Sequence, residues 1–280
     1  MSVEQALAAA GYTVENLIHA GQRERTYNVI DARGKPGLAR VLDPQWAQDS
    51  DARTAFIDEG QLLVGFAHPN VLGVTDQGES LGQRFIVLTR PSRHLGEMIG
   101  TPHEPRRVLA WMRDIASGLD ALHQRGILHR DLRPAHLLLS REERITIMPT
   151  GVVRAGTMQR VSVTSPRYMS PEQAEGDTGD GRSDLYSLGV IAWELLCGRP
   201  PFLQEDPFDL AMAHINDPVP PLPGVGADVQ GVLDRLLAKS PAARFPTAAD
   251  LFATLQSILE PVRAPAPAPA RPARTGPATI

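Results

Sequence analysis

Residues His129-Arg130-Asp131-Leu132-Arg133-Pro134-Ala135-His136 set one carboxylate among four basic side chains within eight positions. Four further stretches follow in order: Ser165-Pro166-Arg167-Tyr168-Met169-Ser170-Pro171-Glu172, Asp184-Leu185-Tyr186-Ser187-Leu188-Gly189, Gly198-Arg199-Pro200-Pro201-Phe202 and Ala243-Arg244-Phe245-Pro246. Any one of them would occur by chance in unrelated chains. The ordered set, at these spacings, decides the fold.

Upstream of that set, hydrophobic period divides the chain. From Tyr12 to Leu88, short apolar runs such as Tyr27-Asn28-Val29-Ile30 and Phe85-Ile86-Val87-Leu88 alternate with turn signals such as Arg33-Gly34-Lys35-Pro36-Gly37, the pattern of strands. One helix, roughly Ala52 to Gly65 with Phe56, Leu62 and Leu63 among its apolar positions, interrupts them. Beyond Pro105 the period becomes helical: Val108, Trp111, Met112, Ile115, Leu119 and Leu122 form one stripe. The predicted layout is an N-terminal extension over 1–11, a strand-rich lobe over 12–90, a helical lobe over 91–260 and a Pro/Ala-rich tail over 261–280. That tail fixes backbone angles, removes amide donors and offers nothing to bury, so it reads as an extended linker or disordered terminus.

Composition narrows the function classes. A chain of 280 residues with 42% hydrophobic and 21% charged residues can bury a substantial core. A formal net charge of -4 supplies no general basic field, which argues against nucleic acid as a partner. Cys197 is the sole cysteine and lies beside the apolar run Val190–Leu196, which suits an inert thiol in a reducing cytoplasm. No apolar run approaches the roughly 20 residues that cross a bilayer, and the start lacks a signal pattern, so no transmembrane segment is expected.

In their order and spacing the five stretches resemble the carboxy-terminal lobe of a bacterial Ser/Thr protein kinase of the eukaryotic-like, Hanks type. The resemblance runs from about Tyr12 to about Ile258. It implies an α+β, bilobal fold, with a strand-rich N-lobe carrying one helix and a helical C-lobe. It also implies a cleft for phosphoryl transfer, which in that family uses a glycine-rich loop, a lysine on the phosphates, two magnesium ions held by an aspartate and an asparagine, and a base for the hydroxyl.

Set against that family pattern, the cleft residues depart repeatedly. His19-Ala20-Gly21-Gln22-Arg23-Glu24-Arg25-Thr26-Tyr27 takes the place of the glycine-rich loop with Gly21 alone, where three glycines are usual. Side chains there keep the amides from closing on phosphate, and Glu24 brings negative charge toward it; the segment also reads as a plain strand-to-strand turn. Gly37-Leu38-Ala39-Arg40-Val41-Leu42 resembles the family's Val-Ala-Ile-Lys-Val-Leu and puts Arg40 at the lysine position. Arg40 suits a bidentate bridge to Glu59 on the helix, or else a phosphate ligand of altered geometry. Leu38 replaces a small alanine above adenine and narrows a slot that Leu88 at the hinge and Leu138 also line.

The catalytic loop keeps Asp131, a base candidate that reads as vestigial, with Arg133 in place of the usual lysine and His136 in place of the metal-binding asparagine. Magnesium prefers oxygen ligands to imidazole. Where Asp-Phe-Gly belongs stands Pro149-Thr150-Gly151, and between Asp131 and Glu172 the only acidic residues are Glu142 and Glu143. The metal site is therefore expected to be lost. In contrast, His129, Glu172, Asp184 and Arg244 match the family's structural positions, Glu172 with Arg244 as a buried ion pair and Asp184 as the carboxylate under the catalytic loop.

Taken together these residues predict a pseudokinase: a cytoplasmic scaffold or regulatory module that binds a protein partner, an active kinase or its substrate. On that reading there is no resident cofactor, and any ATP binding is weak and without magnesium. The alternative is an unconventional active Ser/Thr kinase with Asp131 as base and His136 or a hairpin glutamate recruiting metal. A third reading is a metal-independent nucleotide sensor using Arg40 and the hinge Leu88 to Arg90. Thr157, Ser162, Thr164 and Ser165 are candidate phosphorylation positions.

Overall fold

The computed structural model describes residues 2–20, 23–90, 93–150, 152–154 and 166–260. It opens on a short helix, α1 (Val3–Ala9), closed at its start by a reciprocal Ser2–Gln5 capping box. Five strands build the small-lobe sheet: β1 (Thr13–Ala20), β2 (Glu24–Ile30), β3 (Pro36–Leu42), β4 (Val74–Ser80) and β5 (Gln83–Thr89), in the antiparallel order β1-β2-β3-β5-β4. Between β3 and β4 lies α2 (Ser50–Leu63), whose amino end is capped by the Asp49 side chain on the Ala52 amide. It begins two residues before the predicted start because Asp49 supplies that cap, and it ends ahead of Gly65, which takes a left-handed φ of 68°.

Strand alternation sends residues to two distinct cores. Val29, Ala39, Val41 and Val87 face α1 and pack with Val3 and Leu7, so the N-terminal extension is part of the small lobe's packing. The opposite face carries Leu38, Leu42 and Leu88 together with Phe56 of α2 and Leu138 and Met148 of the large lobe. Arg40 lies between Leu38 and Leu42 in β3 and therefore shares this second, cleft-side face.

The large lobe begins with β6 (Arg93–His94) and α3 (Pro105–His123). Short strands β7 (Ile127–Leu128), β8 (Leu137–Leu139), β9 (Ile145–Ile147) and β10 (Val153–Arg154) make two small sheets, β10-β7 and β6-β8-β9. The helices α4 (Pro171–Ala174), α5 (Gly181–Cys197), α6 (Pro207–Asn216), α7 (Ala227–Leu236) and α8 (Ala248–Leu259) follow. Helix α5 is buried on every side from Ser183 to Leu196, as a helix at the centre of a lobe must be. Gly189 lets α7 approach it: a Cβ there would stand 2.8 Å from that of Leu236. Gly118 of α3 does the same beneath the interlobe segment, where a Cβ would meet the Asn70 carbonyl oxygen at 2.6 Å. The architecture is the α+β, bilobal kinase-like fold. Among the described residues, no helix is long and apolar enough to cross a membrane. Gly21, the candidate phosphorylation positions Thr157, Ser162, Thr164 and Ser165, and the 261–280 tail lie outside the described residues.

Candidate active site

The catalytic loop hangs from one carboxylate. Asp184, in the first turn of α5, accepts the Arg130 amide at 2.7 Å on Oδ1, and the His129 amide at 3.0 Å and His123 Nε2 at 2.8 Å on Oδ2. Burial alone would raise its pKa, but His123 and the loop amides outweigh burial and hold it below the ordinary carboxylate value. This anchoring lets Arg130 keep a φ of 59°, a conformation costly for a long side chain. Gln173, the third residue of α4, clamps the same turn by donating to the Arg130 carbonyl at 2.8 Å.

Around the loop aspartate, short polar contacts converge. His136 Nδ1–H donates to the Asp131 carbonyl at 2.8 Å, and its Nε2 accepts from Arg133 Nη2 at 3.1 Å. Arg133 Nε lies 3.4 Å from Asp131 Oδ2. Burial drives the His136 pKa well below its usual value, and the nearby His129, Arg133 and Arg40 push the same way. The ring is thus neutral with its Nε2 lone pair committed to a guanidinium. His129 is likewise kept neutral by burial, and its Nε2–H donates to the Met148 carbonyl at 3.1 Å.

Met148 continues the chain by donating its amide to the His136 carbonyl at 2.8 Å, which places Pro149 and Thr150 in the interior beside the loop. Pro149 brings neither carboxylate nor amide donor. Glu143 lies in the hairpin and is engaged by Arg107 at 2.8 and 3.0 Å. Among the described residues no three His, Cys, Asp or Glu side chains are grouped as a metal set. The donors present therefore do not fit magnesium: the imidazole nitrogen is occupied, and oxygen ligands are missing where the family places them.

Across the cleft, Arg40 is fully buried and held by two carboxylates. Its Nη1 pairs with Glu59 Oε1 of α2, its Nη2 lies 3.4 Å from Glu59 Oε2, and the same Nη2 donates to Glu24 Oε2 at 2.6 Å. Burial opposes the charge, yet Glu24 and Glu59 prevail and keep the guanidinium pKa above its ordinary value. The ring of Phe56 sits 5.8 Å from its Cζ. Leu38, Leu88, Leu138 and Met148 are all buried in a single apolar cluster next to this triad.

Beneath the cleft, Glu172 and Arg244 pair bidentately at 2.7 and 2.8 Å, and Ser183 Oγ donates to Glu172 at 2.6 Å. Arg244 spends its remaining donors on the carbonyls of Ala238, Arg182 and Lys239. Burial would raise the Glu172 pKa, but Arg244 and Ser183 bring it below the usual value.

The structure thus brings Asp131, Arg133 and His136 together, joins Arg40 to Glu59, and stacks His129 and Asp184 under the loop. Sequence reasoning missed Gln173 as a loop clamp, although Ser170-Pro171-Glu172-Gln173 carries the capping-box signature that fixes it. It also placed Glu24 beside incoming phosphate without seeing that the carboxylate would settle on Arg40.

Comparison with known proteins adds what geometry does not. The family model described as "Protein kinase domain" matches residues 12–254. The serine/threonine-protein kinase PknB of Mycobacterium leprae is 34% identical over 262 residues, which are 87% of this chain and 42% of that protein. PknB of Mycobacterium tuberculosis is 35% identical over 275 residues, 91% of this chain and 44% of that protein. A probable serine/threonine-protein kinase PknB of Corynebacterium glutamicum is 31% identical over 270 residues, 87% of this chain and 41% of that protein. The chain spans about two fifths of the length of these curated relatives.

These matches overturn the pseudokinase expectation. That reading inferred lost activity from substituted cleft positions, but the relatives are named as kinases and resemble this chain across both lobes, which favours the alternative of an active kinase. Substitution at ligand positions changes how phosphate charge is met and is not itself a measurement of turnover. With the motifs, the bilobal fold and the matched domain in agreement, the chain belongs to the protein kinase domain family, among the bacterial Ser/Thr kinases of the Hanks type.

Proposed function

We propose that this chain is an unconventional serine/threonine protein kinase domain, which transfers the γ-phosphoryl group of ATP to the hydroxyl of a protein serine or threonine. The observation that carries the reading is the catalytic loop: Asp131 is presented on a turn pinned by Asp184 through the His129 and Arg130 amides. Likeness to chains named serine/threonine-protein kinases across both lobes supports it.

In this mechanism Asp131 accepts the proton of the substrate hydroxyl as that oxygen attacks the γ-phosphorus. The bond to the bridging oxygen breaks, and ADP leaves with the electron pair. Arg133, beside Asp131, supplies positive charge toward the phosphates, and Arg40, across the cleft, adds to it only where the Glu24 carboxylate gives way. Guanidinium groups can meet phosphate bidentately, but they do not reach the charge density of a divalent ion. A shortfall of roughly 4 kcal/mol in transition-state stabilisation slows transfer about a thousandfold against the family's about 1–100 per second. Turnover is correspondingly slow. ATP is a substrate here, not a resident cofactor, and the cytoplasm supplies it. The protein partner is the acceptor.

The test is incorporation of labelled γ-phosphoryl from ATP into the chain itself and into a basic acceptor protein, with phosphoserine and phosphothreonine located by mass spectrometry. Slow label that disappears in a folded Asp131→Asn variant is the expected result. Wild-type protein that stays unlabelled through many hours, with and without divalent ions, overturns the reading.

A further inference from the structure

The triad on Arg40 has a property that phosphoryl transfer alone does not explain. Arg40 carries one positive charge and faces two carboxylates, so the group as a whole is negative at the place where a phosphate would approach. Its two carboxylates are not equivalent. Glu59 is almost wholly buried in α2 and cannot leave without stranding a charge, whereas the Glu24 side chain retains 28% of its exposure at the start of β2.

Strand register explains how Glu24 reaches the arginine. Thr26 pairs with Arg40 and Glu24 pairs with Leu42 across β2 and β3, so Thr26, Glu24, Arg40 and Leu42 share the cleft-side face. Glu24 and Arg40 are diagonal neighbours, within reach of two long side chains. The Glu24 carboxylate then takes the outward Nη2 donor at 2.6 Å, while Glu59 holds the inner edge of the guanidinium.

We propose that Glu24 is an intramolecular stopper: its carboxylate stands in for a nucleotide phosphate on Arg40, and a polyphosphate ligand enters by displacing it. The inference rests on reading this cleft as the nucleotide site. A partly exposed strand-end glutamate can swing toward water at far smaller cost than buried Glu59, and the departing anion is replaced by another on the same donor. Because the residues present do not fit magnesium, the exchange is carboxylate for phosphate with no divalent ion required. Glu24 therefore sets both the affinity for polyphosphate and its salt dependence.

The experiment titrates ATP, inorganic tripolyphosphate and adenosine into the full chain in the presence of EDTA, following thermal stability and calorimetric binding for wild type and Glu24→Gln. Glutamine keeps size and hydrogen bonding and removes the charge. ATP and tripolyphosphate are expected to bind Glu24→Gln at least about tenfold more tightly than wild type, with adenosine unchanged. Equal or weaker polyphosphate binding by a folded Glu24→Gln overturns the proposal, as does an equal gain for adenosine, which would mean a general opening of the slot. Glu24→Ala gives a second reading of the same charge should glutamine re-form the contact. Failure of the kinase reading is seen separately, as absent phosphoryl transfer in a protein whose Glu24→Gln variant still gains affinity for tripolyphosphate.

Discussion

The Glu172–Arg244 ion pair beneath the cleft and the ion cluster within it use the same chemistry, guanidinium with carboxylate, yet they are built for different ends. Glu172 and Arg244 satisfy one another completely: both carboxylate oxygens face both terminal nitrogens, Ser183 adds a donor, and three backbone carbonyls take what Arg244 has left. Arg40 instead carries one carboxylate too many, and one of the two, Glu24, is only partly buried. A closed pair lowers the energy of a single arrangement. An overfilled one leaves a member that an outside anion can replace. The large lobe has thus kept a fixed frame, while the cleft holds an exchangeable set of charges.

The contrast is broken most severely at the frame. Arg244→Met leaves Glu172 buried without its partner and should cost about 3–5 kcal/mol, read as a loss of roughly 6–20 °C in Tm by calorimetry. A loss below 1 kcal/mol would mean that the pair is no more than an exposed bridge. Acid tests the same lobe through His214, which is buried between Tyr186 and Phe202 and bonded to the Arg167 carbonyl at 3.1 Å. Burial first, and Lys239 second, push its pKa down to about 4. The folded pKa lies below the unfolded one, so the unfolded chain binds the extra proton between pH 6.5 and 4, and stability present above pH 6.5 is lost as pH falls through that window. The loss amounts to roughly 3 kcal/mol. Urea midpoints at pH 7.5, 6 and 5 check it, and His214→Phe should flatten the slope.

Smaller effects sharpen the comparison. Gly118→Ala drives a methyl toward the Asn70 carbonyl and the Ile147 side chain, which stands 2.8 Å from the added carbon, and should cost about 1–3 kcal/mol in denaturant unfolding. Glu24→Gln, at the cleft, should change unfolding stability by less than about 1 kcal/mol while altering polyphosphate affinity. A cleft variant that destabilised the fold as much as Arg244→Met would erase the distinction between frame and exchangeable charge.

Much of the molecule was legible in its sequence. The five ordered stretches around Asp131, Asp184 and Arg244 announced the large lobe, because each marks a turn or buried charge that recurs with the fold. The Gly37–Leu42 stretch put Arg40 at the lysine position and suggested its bridge to Glu59 on the helix. Pro149 showed that a carboxylate was missing, since no neighbour in sequence could replace it. Helix α1 was not visible as part of a core, because seven residues with Val3 and Leu7 buried make too short a stripe to stand out from an extension.

By itself, the sequence determined which chemical groups this protein has and which it lacks: an aspartate at position 131, arginines at positions 40 and 133, no acidic residue at Pro149. Tertiary structure alone decided how those groups are spent. The His136 tautomer follows from a folded loop that sets the ring between the Asp131 carbonyl and Arg133. The placement of Glu24 on Arg40 follows from strand register across 16 residues. Asp184 reaches the loop amides across 54 and 55 residues because α5 is buried at the centre of the lobe. Propensity and periodicity act over a few residues, whereas hydrogen-bond partners are chosen by whichever groups packing brings within about 3 Å.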